Sequence, residues 1–144
     1  MGLRHDAREL AVQTLFALFF DEEKQSAETI KNRIAQIIDF QDKSFTNQQN
    51  KFIEMLVKNT YKNLESIDEL IKRFLKNWDF KRISVMDKMI LRLAIMEMEF
   101  TETSPKIIIN EAIEIAKKFC GDKSGKFING ILDAVMHREK NDKM

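Results

Sequence analysis

Residues 117–133 read KKFCGDKSGKFINGILD, and they hold the side chains best suited to binding chemistry. Lys117, Lys118, Lys123 and Lys126 stand there against a single acid before Asp133, namely Asp122. Phe119 and Phe127 are interleaved with the lysines, and three of the chain's four glycines, Gly121, Gly125 and Gly130, fall in the same stretch. Lysines bind phosphate and aromatic faces stack on unpaired bases, so this mixture fits a single-stranded nucleic-acid site. Each element also has a purely structural reading. Lys117 and Lys118 suit the negative end of a helix, Phe127 sits at helical spacing with Ile128 and Ile131, and Gly130 implies close helix packing. Lys123 and Lys126 are different, because they lie near the positive start of the next helix, where a cation is unfavourable without an anion beside it.

A second group lies at the other end of the chain. Arg4 and Arg8 are one helical turn apart, and Phe16 falls on the flank of that basic stripe. One reading is a phosphate clamp with a stacking ring; the other is two solvated arginines paired with Glu9 or another acid. A third group is the stripe Lys88, Arg92 and Glu99, which reads as a face toward solvent or a partner, with a protein-binding edge starting at Asp87. Glu97 falls among Met86, Ile90 and Leu93 and requires a polar partner if buried.

Other chemistries find no support. The single cysteine, Cys120, and the two histidines, His5 and His137, form no metal-ligand spacing. No C-x-x-C, H-E-x-x-H or phosphate-cradling glycine loop occurs, so no catalysis, metal or cofactor is expected. A lone cysteine excludes a disulfide framework within the chain and fits a reducing cytoplasm. No apolar run approaches a membrane span. The net charge is +1, with 12 basic and 13 acidic residues up to Phe80. Nucleic-acid binding must therefore come from local patches rather than bulk charge.

The elements that carry these groups read as helices throughout. One proline and four glycines in 144 residues leave few breaks. Polar starts recur at Ser26, Thr46 with Gln49, Ser66 with Glu69, Ser84, Ser104 before Pro105, and Ser124. The spacing predicts about seven helices, near 3–20, 26–41, 46–63, 66–78, 84–100, 106–120 and 124–139. The β-branched run Ile107–Ile109 allows an extended segment and a later start at Asn110. The fifth helix is apolar nearly all round and belongs at the centre of a bundle. A junction at Lys81–Arg82, after Trp78, would divide one domain into sub-bundles of about 1–80 and 81–144.

Three stretches resemble one family. RHDARELAVQTLF, residues 4–16, resembles the opening of the NusB family of transcription antitermination factors. MDKMILRLAIME, residues 86–97, is similar to its acid-x-x-x-L-R-x-A-x-x-E helix, and INEAIEIAKKFCGDKSGKFING, residues 109–130, to its I-N-E-A-x-E-x-A-K and S-x-K-F-[VI]-N-G signature. The resemblance implies an all-α fold of two small bundles, no catalysis and no cofactor. It also implies binding to the boxA element of nascent ribosomal RNA together with NusE, a ribosomal protein, in support of the transcription elongation complex. Under it, Arg4, Arg8 and Phe16 fall on the N-terminal RNA-binding helix. Phe119, Lys123, Ser124, Lys126 and Phe127 fall on the second RNA-contacting segment, and Asp87 on the face toward NusE. His5 and Asp6 dilute the usual arginine cluster. Cys120 stands where the family usually has glycine, and Lys123 where it often has an acid, an exchange that favours RNA.

NusB-like domains also begin ribosomal-RNA cytosine methyltransferases. On the expectation that this chain closes at Met144 without an α/β unit, the free-standing RNA-binding factor is favoured over that reading and over a helical protein-binding scaffold. The chain is expected in the cytoplasm, as a monomer or as a homodimer that covers its RNA face, with its two ends joined in one cationic, ring-lined strip.

Overall fold

Capping chemistry sets several of the helix starts. Ser26 opens one helix by accepting the Thr29 N–H at 3.1 Å, and Ser84 opens another by accepting the Asp87 N–H at 3.2 Å. Thr46 and Gln49 form the reciprocal box expected of them, with bonds of 2.9 and 3.0 Å. The structure, a computed structural model, describes residues 2–21, 26–75 and 79–138. Among these are seven α-helices: α1 Gly2–Phe19, α2 Ala27–Phe40, α3 Asn47–Lys62, α4 Leu64–Arg73, α5 Val85–Phe100, α6 Pro105–Cys120 and α7 Asp122–Met136. A single 3₁₀ turn, Phe80–Arg82, precedes α5.

Two local expectations fail. Ser66 and Glu69 do not cap a helix; α4 already begins at Leu64, and Asn63 before it gives no side-chain cap bond. The buried face Ile67, Leu70, Ile71 fixes that helix instead. Ser104 likewise makes no capping bond, although Pro105 occupies the first position of α6 as expected. The Ile107–Ile109 run is helical, in keeping with the helix expected over 106–120 and against the alternative start at Asn110, because Ile108, Ile109, Ala112, Ile115 and Ala116 bury one face at helical spacing. Residues 76–78 and 139, placed in helices by the sequence, lie outside the described residues.

The chain divides into two compact units between Lys62 and Asn63, not near residue 80. In the first unit α1, α2 and α3 pack pairwise. Leu10, Leu15 and Leu18 of α1, Ile30 and Ile34 of α2, and Ile53, Leu56 and Val57 of α3 are buried. In the second unit α5 touches α4, α6 and α7, the central place its apolar sequence demanded. It buries Met89, Ile90, Leu91, Leu93, Ala94, Ile95 and Met96.

The polar stripe of α5 explains why α4 belongs to the second unit. Both side-chain nitrogens Nε and Nη2 of Arg92 donate to the Asp68 carboxylate of α4 at 2.8 Å. Lys88 is buried, with its Nζ 4.4 Å from the centre of the Phe80 ring, and Lys72 reaches the same ring at 5.2 Å. Burial, then the neighbouring Arg92 charge, lowers the Lys88 pKa below its usual value. Glu99 accepts from Arg138 at 2.6 Å. The stripe Lys88, Arg92, Glu99 therefore faces its own unit rather than solvent or a partner.

Candidate nucleic-acid interface

In the first unit, α1 presents Arg4 to solvent and buries Arg8, which is 4% exposed. Both guanidinium groups lie over Phe52 of α3, at 4.5 Å for Arg4 and 5.6 Å for Arg8. Glu9 accepts from His5 at 2.8 Å. Arg4 has no ion pair among the described residues, and its side chain is exposed. Neither sequence reading placed Phe52 here, since no spacing within α1 points to a ring on α3.

Phe16 is half-buried and packs edge-on against Phe20, with ring centres 5.2 Å apart. Phe19 packs on Phe20 at 5.3 Å, and these two rings are 39% and 60% exposed. The end of α1 and the residue after it thus carry an aromatic cluster, of which only Phe16 stands out in the sequence. A separate hollow of about 590 Å³ between α2 and α3 is lined by acids and lysines together and contains none of the expected residues.

In the second unit, the α6–α7 junction holds the lysine-rich segment. Gly121 closes α6: its N–H donates to the Ala116 and Lys117 carbonyls at 3.1 Å each. Its φ of 103° and ψ of −179° are open essentially to glycine alone. A Cβ there would meet nothing within 4 Å, so the requirement is torsional rather than steric. Gly121→Ala is expected to lower unfolding free energy by about 2 kcal/mol. Thermal melting checks this, and an unshifted melt would show that the junction tolerates another conformation.

Because Gly121 ends one helix and starts the next, α7 opens at Asp122, two residues before the predicted start. Asp122 then suits the helix's positive end, while Lys123 sits in the same first turn and Lys126 follows one turn on. Both lysines are exposed, as are Lys117 and Lys118. Phe119 and Phe127 are half-buried, and Lys118 lies 5.7 Å from the centre of the Phe119 ring. Gly130 is exposed with nothing near its missing Cβ. The close approach expected there occurs at Gly125, where a Cβ would lie 3.0 Å from the Lys117 side chain and 3.6 Å from Ile113.

Ser124 is buried, and its hydroxyl donates to the Asp87 carboxylate. It ties α7 to α5 instead of capping a helix. Donation by this hydroxyl to an RNA phosphate would require breaking that bond. Asp87 itself is half-exposed. Burial, then the Asp87 charge, raises the Cys120 pKa, so the thiol stays protonated at neutral pH.

These observations define an all-helical protein that carries exposed cations beside aromatic rings in each of two units. The pattern of the NusB family matches residues 5–137, and the chain belongs to that family. It is 41% identical to the transcription antitermination protein NusB of a Nitratiruptor species, over 98% of this chain and 96% of that protein. Its fold is similar to the solved structure of T. maritima NusB, with a TM-score of 0.79 at 33% identity over 96% and 94% of the two chains. It is also similar to a chain in the crystal structure of antitermination factors NusB and NusE in complex with dsRNA, with a TM-score of 0.80 at 23% identity over 94% and 96%. No helix among the described residues is long and apolar enough to cross a membrane.

Proposed function

We infer that this chain is a non-catalytic transcription antitermination factor that binds RNA together with the ribosomal protein NusE. The observation that carries the reading is family membership over nearly the whole chain, with relatives named as antitermination proteins. A fold neighbour named for its complex with NusE and RNA supports the two partners. The chemistry of the chain agrees: Arg4, Lys123 and Lys126 are exposed cations, and Phe16, Phe119 and Phe127 are accessible rings close to them in sequence. Phosphate pairing with stacking requires those groups and neither a metal nor a nucleophile.

The proposed ligand is the boxA element in single-stranded form, and the proposed setting is the cytoplasmic elongation complex on ribosomal RNA genes. Arg4, Lys123 and Lys126 contact phosphates, and the three rings stack on bases. Arg8 supports the N-terminal contact from its buried position, and Ser124 supports the second segment by holding Asp87. The half-exposed Asp87 carboxylate is the proposed contact for NusE.

Titration of labelled boxA RNA, single-stranded and annealed to its complement, with and without NusE, tests this reading. Binding that tightens with NusE is expected, with log K falling by roughly 0.7 per log unit of salt for each phosphate neutralised. Four to six contacts then give a slope of about −3 to −4. A flat salt response would remove the electrostatic basis. Capture of NusE without RNA would leave a protein-binding scaffold. Sedimentation of the free chain in the same buffers distinguishes a monomer from a homodimer that RNA dissociates.

A further inference from the structure

Arg4 and Arg8 share one aromatic ring, and only one of them is exposed. The guanidinium of Arg4 lies 4.5 Å from the centre of Phe52 and that of Arg8 5.6 Å. Two like charges on one side of a helix repel, and the negative face of an aromatic ring lowers that repulsion. A guanidinium held over a ring by its central carbon still has N–H donors at its rim, and that fork can grip phosphate oxygens in pairs. Stacking also fixes a long side chain that would otherwise lose rotamer freedom on binding.

The ground beneath the ring is firm. Phe52 projects from α3, whose Ile53, Leu56 and Val57 are buried. Thr46 and Gln49 lock the first turn of that helix with their reciprocal bonds. A hollow of about 150 Å³ opens beside the stack, lined by Arg4, Thr46, Gln48, Gln49 and Phe52. Among the described residues no carboxylate lines it, so an incoming phosphate meets no negative charge from its walls.

We propose that Phe52 is a positioning residue for RNA binding: it holds the Arg4 guanidinium on its ring so that a backbone phosphate of the RNA is gripped at the hollow against α3. This rests on the RNA reading above and extends the contact surface to a helix the sequence motifs do not touch. Arg8 completes the device as a second cation on the same ring, whose burial keeps it from competing for solvent or phosphate.

The experiment is a double-mutant cycle on the full chain with labelled boxA RNA, read as affinity and as salt slope, each variant first checked by thermal melting. Arg4→Gln is expected to weaken binding about tenfold and to make the slope shallower by about 0.7. Phe52→Leu, which keeps an apolar side chain and loses the ring, is expected to weaken it about threefold. Adding Phe52→Leu to Arg4→Gln should bring little further loss, because the ring acts through that arginine. Phe52→Tyr should retain full affinity; if Phe52→Leu melts early, Phe52→Met takes its place.

Undiminished affinity in the ringless variant, or losses that simply add in the double variant, would overturn the positioning role while leaving RNA binding intact. Failure of the unmutated chain to bind RNA at all would overturn the RNA reading and this inference together. The first outcome appears only against a wild-type chain that binds, so the two failures are distinct.

Discussion

Replacing Lys123 and Lys126 together by glutamate is expected to weaken RNA binding on the order of 100-fold at low salt. The same double substitution is expected to leave thermal stability unchanged or slightly raised. Both side chains are exposed, and no ion pair is known for either among the described residues. Lys123 lies in the first turn of α7 beside Asp122, where the helix's own field is positive. A cation there opposes the field, and a carboxylate would gain about 0.3–1 kcal/mol from it. A residue kept for folding would show the opposite trend. The salt slope should fall by about 1.4, the share of two phosphate contacts. Titration at several salt concentrations, paired with a melting curve, checks both halves. If affinity holds while the melt rises, the lysines serve solubility and the second RNA segment lies elsewhere.

The α6–α7 junction also shows what one sequence can and cannot tell. That a glycine must stop α6 was legible, because few residues can take positive φ and Gly121 follows two lysines suited to a helix end. That the same glycine also starts α7 was not, since a serine two positions on offered a familiar cap. Gly125 and Gly130 look alike in the string. Choosing which one lies against α6 requires the register between two helices, and no local pattern encodes that. The same holds for Phe52. Its ring serves Arg4 and Arg8 only because α3 lies against α1, a tertiary fact absent from either helix's periodicity. By contrast, the long apolar sequence of α5 needed no register to be placed at the centre, and the Thr46–Gln49 box needed only four residues.

The stripe on α5 is illegible in the sequence for a related reason. Lys88, Arg92 and Glu99 look like a solvated face when α5 is read alone. Phe80 and Asp68, which take up two of those charges, lie outside that helix. The motif stretch 86–97, with its resemblance to the family's helix, therefore contains structural residues as well as the proposed partner contact at Asp87. Similarity over that stretch reports on the integrity of the second unit as much as on binding.

Breaking the Asp68–Arg92 pair is expected to produce the largest loss of stability of any polar change in the second unit, and its two halves should differ. The side chains are 17% and 11% exposed, and two bonds of 2.8 Å join them. Removing one partner of so sheltered a pair takes away the bidentate compensation of the other's charge, at about 3 kcal/mol, or roughly 10 °C of melting temperature for a chain of this size. Arg92→Ala leaves Asp68 with Lys88 still nearby, and Asp68 already favours the charged form of that lysine. The carboxylate therefore keeps part of its compensation. Asp68→Ala removes the larger of the two carboxylate influences that favour protonated Lys88, leaving that of Asp79, while the Arg92 charge still disfavours it. The aspartate substitution should therefore be the more damaging one. The double variant should lose less than the sum of the two, because the cost of stranding one member of the pair is not incurred twice. Equal losses would mean that Lys88 does not feel Asp68, and additive losses that the pair is not coupled. If either single variant melts like the wild type, the assignment of α4 to the second unit through this bridge has no energetic basis.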